Sequence, residues 1–111
     1  VTEFYVVDMR PSFRDNPYVT FWRPKNAGYA YPLPWSGRYS AETIEAGAGY
    51  YAERDGRSLI RFAAPCDQVD KLGTDPGPGM IDGDVGPVIV NSVENRRRLR
   101  RMATNALRAP S

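Results

Sequence analysis

The sequence predicts a single α+β domain over residues 1–111, a small, mainly antiparallel sheet packed against two helices and closed by a C-terminal amphipathic helix. Three observations lead there. The chain has 111 residues, the length of one ordinary domain. Hydrophobic residues make up 41% and charged residues 25%, which supports one modest core and places the chain outside the disordered class. Short runs of β-branched and aromatic residues, separated by turn formers, give way at the C-terminus to an apolar stripe at helical spacing.

The elements follow in order. Phe4 to Met9 (FYVVDM) is rich in strand formers and stops before Pro11. Tyr18 to Arg23 (YVTFWR) places Val19 and Phe21 on one face and Tyr18, Thr20 and Trp22 on the other, so both strands belong to one sheet. The connection from Pro11 to Pro17 is too long for a tight hairpin. From Pro24 to Tyr39 the prolines and glycines permit a short extended piece around Tyr29 to Leu33 and otherwise predict an ordered loop or sheet edge. Ser40 is a favoured N-cap, and Ile44, Gly47, Tyr50 and Tyr51 keep helical spacing, which predicts a helix from Ala41 to about Ala52. Gly47 and Gly49 weaken that helix and leave room for another element to approach. Arg54, Asp55 and Gly56 form a turn, and Ser58 to Ala63 is the next strand.

After Pro65, the stretch CDQVDKLG predicts a short helix that turns Val69 and Leu72 inward and ends at Gly73. A glycine- and proline-rich loop leads to Val88, Ile89 and Val90, a short buried strand. Asn91 with Glu94 matches a capping box, and Val93, Leu99, Met102, Ala103, Ala106 and Leu107 form one apolar stripe. Arg97, Arg101 and Arg108 lie opposite that stripe, and Arg98 is spaced to pair with Glu94.

Composition excludes several chemistries. The chain has no histidine, so it holds neither a Ser-His-Asp triad nor a Cys-His pair nor a histidine-ligated metal. Its one cysteine, Cys66, can form neither an internal disulfide nor a thiolate cluster, and without a histidine base it reads as a small buried hydrophobe. Asp82-Gly83-Asp84, with Asp75 nearby, lacks the terminal glutamate of a calcium loop and reads as a turn. Gly77-Pro78-Gly79 lacks the P-loop lysine. No carboxylate pair stands out for acid–base work, so a binding protein without metal or cofactor is expected rather than an enzyme. No run is apolar enough to span a membrane and no signal-peptide pattern is present, which predicts a cytoplasmic protein with no membrane partner.

Two regions are candidate sites. Ten of the thirteen aromatic residues fall in the first 39, interleaved with Arg10, Arg14, Arg23, Lys25 and Arg38. Many of these rings must fill the core of so small a domain, and those flanking the proline-rich loop are the ones placed for a ligand. Trp22, Arg23, Tyr29, Tyr31, Trp35 and Arg38 are therefore the predicted binding residues, for a host protein or a nucleotide-like ligand. The second region is C-terminal. Residues 1–90 hold nine basic and twelve acidic side chains, a balance of −3, whereas residues 91–111 hold six arginines against Glu94, a balance of +5. Arg97, Arg101 and Arg108 are the predicted contacts of an alternative role, nucleic-acid binding. A solvated face on a terminal helix explains the same arginines, and it carries more weight because nucleic-acid binders generally spread their positive charge over the whole domain. Thirteen of the fifteen basic residues are arginine, a bias that a GC-rich coding sequence also produces. Sheet edges and aromatic loops leave a homo-oligomer open as well.

The run NPYVTFWRPKNAGYAYPLPWSGRYS and its later partner IRFAAPCDQVDKLG resemble segments of small proteins from phages and prophages of GC-rich bacteria. The resemblance covers about the middle half of the chain, is to that class rather than to a named family, and carries no functional residue over. It implies a phage-encoded inhibitor of bacterial defence, one that blocks a host protein or sequesters a nucleotide signal.

Overall fold

The computed structural model describes residues 2–108, with side chains described as far as residue 103. Strand β1 (Glu3–Asp8) lies at the centre of the sheet because its FYVV core is apolar on both faces. Tyr5 and Val7 point to one side, and Val6 and Asp8 to the other. Strands β2 (Thr20–Trp22), β3 (Tyr29–Ala30), β4 (Tyr39–Ser40), β5 (Ala52–Asp55) and β6 (Ser58–Pro65) complete the sheet, in the order β3-β2-β1-β6-β5. Every pairing is antiparallel. One edge of β1 serves two partners: β2 pairs at Val7 and Asp8, and β4 pairs at Glu3 and Phe4.

Helices α2 (Cys66–Asp70) and α3 (Val93–Arg108) pack on the Tyr5/Val7 face, against β1 and β6. Phe21, Phe62, Val69, Ile89, Leu99 and Ala103 close the main core there. Helix α1 (Ala41–Ala46) lies over the opposite face, where Val6, Trp22, Tyr39 and Tyr51 form a second, aromatic core with Ile44 against it. The predicted class, an antiparallel sheet with packed helices and a distinct C-terminal helix, is the one observed. Among the described residues no helix is long and apolar enough to cross a membrane.

Four local expectations are corrected. The helix after Ser40 stops at Ala46, although Ser40 caps it as predicted, its hydroxyl accepting from the Thr43 N–H at 3.1 Å. A Cβ on Gly47 would stand 2.7 Å from the Tyr51 ring, so that glycine lets Tyr51 fold back into the aromatic core. The chain then forms β5, where the sequence predicts helix end and turn, and Gly56, at a φ of 62°, turns it into β6. Second, Val88–Val90 is extended, but Val88 exchanges hydrogen bonds with Thr74 on one side while Ile89 accepts from the Val19 N–H on the other, so it forms isolated bridges to Thr74 and Tyr18 and no strand. Val88 and Ile89 are buried, and Val90 is exposed.

Third, the cap of α3 is Ser92, whose Oγ accepts from the Asn95 N–H at 3.1 Å. Asn91 instead sends its amide to the carbonyls of Arg14 at 3.0 Å and Asn16 at 2.8 Å, tying down the loop after β1. Fourth, Val93 is 62% exposed and leaves the apolar stripe, which is carried by Leu99, Ala103 and the half-buried Met102. The side chains of Ala106, Leu107 and Arg108 lie outside the described residues.

Candidate binding site

The loop from Pro24 to Tyr39 is held by Tyr39. Its hydroxyl donates to the Arg23 carbonyl at 2.5 Å and accepts from the Asn26 N–H at 3.0 Å. That anchor maintains Lys25 and Asn26 in left-handed conformations, each at a φ of 58°, which non-glycine residues adopt only at a cost. The chain then re-enters the sheet as β3, pairing Tyr29 with Trp22.

The result is an open groove of about 450 Å³. Arg23, Tyr29, Tyr31 and Trp35 line it, so four of the six predicted binding residues share one surface. Phe13 enters from the loop after β1, and Met80, 52% exposed, from the glycine-rich loop. The Arg23 guanidinium lies 5.5 Å from the centre of the Trp35 ring, and its Nε donates to the Tyr29 carbonyl at 2.9 Å. Arginine and indole are thus held together without a carboxylate between them.

Tyr29, 40% exposed, is fixed from below by a partly buried ion pair. The Asp8 side chain is 1% exposed and accepts from Arg10 Nε at 3.0 Å, Arg10 Nη2 at 2.6 Å and Trp22 Nε1 at 3.1 Å. Arg10 Nη2 also donates to the Tyr29 hydroxyl at 2.6 Å, and the guanidinium lies over both the Phe13 and Tyr29 rings. The hydrogen bonds to Asp8 push the Arg10 guanidinium above its ordinary pKa, so it stays charged beneath the groove wall.

Trp22 is buried and supports the groove without lining it. Its ring meets Tyr29 edge-on at 5.2 Å on one side and Tyr50 at 5.8 Å on the other. Tyr50 is 43% exposed, with the Arg61 guanidinium 3.9 Å from its ring centre. An aromatic ladder therefore runs from Phe13 through Tyr29 and Trp22 to Tyr50 and Tyr51. Arg10 and Phe13 belong to the aromatic and arginine cluster read from sequence but not to the residues chosen from it, and Tyr50, Arg61 and Met80 were missed because they come from separate segments. The one local signal was Met80, an isolated large apolar residue in a loop of glycine, proline and aspartate.

Arg38 stands elsewhere. Its Nη2 donates to the Tyr5 hydroxyl at 3.1 Å and to Asp70 at 3.2 Å, and Tyr5 donates to Asp70 at 2.6 Å. Burial, reinforced by the bond to Asp70, raises the Tyr5 pKa well above its ordinary value. Cys66 is buried beside this network, and burial pushes its thiol up to about 12, the inert small hydrophobe expected. In the acidic loop, Asp84 accepts from the Gly79 N–H at 2.9 Å and Gly83 turns the chain at a φ of 70°, as a turn requires.

The alternative trio is separated. Arg97 and Arg101 are exposed on α3 as predicted, but Arg97 lines a cavity that does not include Arg101, and Arg108 lies outside the residues with described side chains. No protein-family model matches the chain, and no curated protein or solved structure matches it either.

Proposed function

We propose that this chain is a non-catalytic binding protein that holds a segment of a partner protein in its aromatic groove. The observation that supports it is the convergence of Tyr29, Trp35 and Met80 with Arg23 on one open surface. Tyrosine, tryptophan and arginine are the side chains that dominate binding energy at protein interfaces, and methionine adapts to irregular partners. Rigid rings lose little conformational entropy on binding, and here Arg10 and Trp22 already hold Tyr29 in place. The resemblance to phage and prophage proteins makes a host defence protein the partner class to test first, with the chain acting as its inhibitor.

The test is native mass spectrometry of the protein purified from a bacterial lysate at low and high salt, beside the double variant Tyr29→Ala, Trp35→Ala. A stoichiometric partner retained by the native chain and lost by the folded double variant supports the groove. A partner kept equally by both removes it. A second reading, nucleic-acid binding, is favoured by the exposure of Arg97 and Arg101 on α3. It predicts co-purifying nucleic acid that high salt strips away.

A further inference from the structure

A second cavity, of about 570 Å³, opens at the end of the sheet where the chain leaves β1 and α3 begins. Arg96, Arg97 and Arg100 line it from α3, and Arg14 lines it from the loop after β1. Two carboxylates also reach it, Asp8 and Asp55, but Asp8 is taken by Arg10 and Trp22. Arg14, Arg96 and Arg97 therefore share the cavity with one remaining carboxylate, Asp55.

The arrangement carries an electrostatic cost. Among the described residues no carboxylate pairs with Arg14, Arg96 or Arg97, whereas Arg98 takes Glu94. Arg96 and Arg100 stand one helical turn apart, and burial together with the Arg96 charge lowers the Arg100 pKa. Arg100 is nonetheless held in position, its Nε donating to the Leu59 carbonyl at 3.1 Å. The Asn91 amide likewise fixes the loop that carries Arg14, so both walls are ordered before any ligand arrives.

We infer that this cleft binds a small ligand with clustered phosphates, of about the size of a mononucleotide. Guanidinium groups match phosphate oxygens in pairs, and converging on a cavity of this size they fit a compact polyanion. Met9, Val19 and Ile60 supply apolar wall for an uncharged portion. Arg101 lies outside the cleft, so the positive charge is focused on one point instead of along a stripe that would track a nucleic-acid backbone. The cleft shares only Phe13 and Thr20 with the aromatic groove, and the inference does not depend on what the groove holds.

Isothermal titration with pyrophosphate and with ATP tests it, using the full chain, Arg97→Ala, Arg14→Ala and Arg101→Ala. Both probes should bind the native protein, and Arg97→Ala should weaken them about tenfold with an unchanged melting temperature. Arg14→Ala, from a different element, should weaken them similarly, while Arg101→Ala stays within about twofold. Tighter binding of ATP identifies a nucleotide as the source, and equal binding identifies the phosphates alone. No heat with either probe overturns the inference, as does equal loss in Arg97→Ala and Arg101→Ala. Displacement of ATP by a lower concentration of single-stranded oligonucleotide overturns it in favour of nucleic acid.

Discussion

Replacing Asp8 with alanine should destabilise the fold and loosen the groove together. The substitution removes a carboxylate that is 1% exposed and leaves the buried Trp22 indole N–H without its acceptor, which costs about 1–3 kcal/mol. It also releases Arg10, whose bidentate pair is partly buried. Breaking a fully buried pair costs about 3–5 kcal/mol, but the Arg10 side chain is 35% exposed and can turn to water, so the total should be about 2–4 kcal/mol. At about 4 °C per kcal/mol for a domain of this size, the melting temperature should fall by about 8–16 °C. Asp8→Asn keeps an acceptor for Trp22 and should lose about half as much. Thermal unfolding followed by circular dichroism measures the loss, and the combined fluorescence of Trp22 and Trp35 reports the same transition. Asp8→Ala melting within about 2 °C of the native chain would refute the idea that this ion pair supports the aromatic wall.

Two further outcomes follow from single residues. Asn91→Ala should cost about 1–2 kcal/mol, because the Arg14 and Asn16 carbonyls lose their donor, and hydrogen exchange should speed up selectively in residues 13–16. Cys66 makes stability pH-dependent: the folded thiol, raised to about 12, keeps a proton that the unfolded thiol gives up near 9. Its contribution is complete below about pH 9 and falls as the pH rises toward 12, so Cys66→Ala should lose less stability over that interval in urea melts at successive pH values.

The sequence was most informative where structure is local. β1, β6, α2 and α3 are each specified by their own periodicity and by the prolines and caps beside them. β5 was not legible, because Tyr50 and Tyr51 keep helical spacing from Ile44. What places them is the return of Tyr51 over Gly47 into a core made with Val6, Trp22 and Tyr39. The groove was legible for a related reason. Arg23, Tyr29, Tyr31 and Trp35 are near in sequence and stay near in space, whereas Phe13 and Met80 reach it only through the topology.

Arg38 shows the limit of nearness. A Cβ on Gly37 would stand 2.8 Å from the Pro24 Cα, and Gly37 N–H donates to the Trp22 carbonyl at 2.9 Å. That close turn feeds Tyr39 and Ser40 into pairing with β1, and the intervening Arg38 reaches Tyr5 and Asp70 instead of the groove. The C-terminal arginines are divided in the same way, since Arg97 lines the cleft together with Arg14 from the loop after β1 and Arg101 does not.

Hydrogen–deuterium exchange on the chain bound to its captured protein partner tests the groove most directly. Protection should concentrate on residues 29–35 and 80–82, two segments that line the groove, with the α3 backbone unchanged. Protection confined to α3 and the loop after β1, with residues 29–35 exchanging as in the free chain, would contradict binding at the aromatic groove.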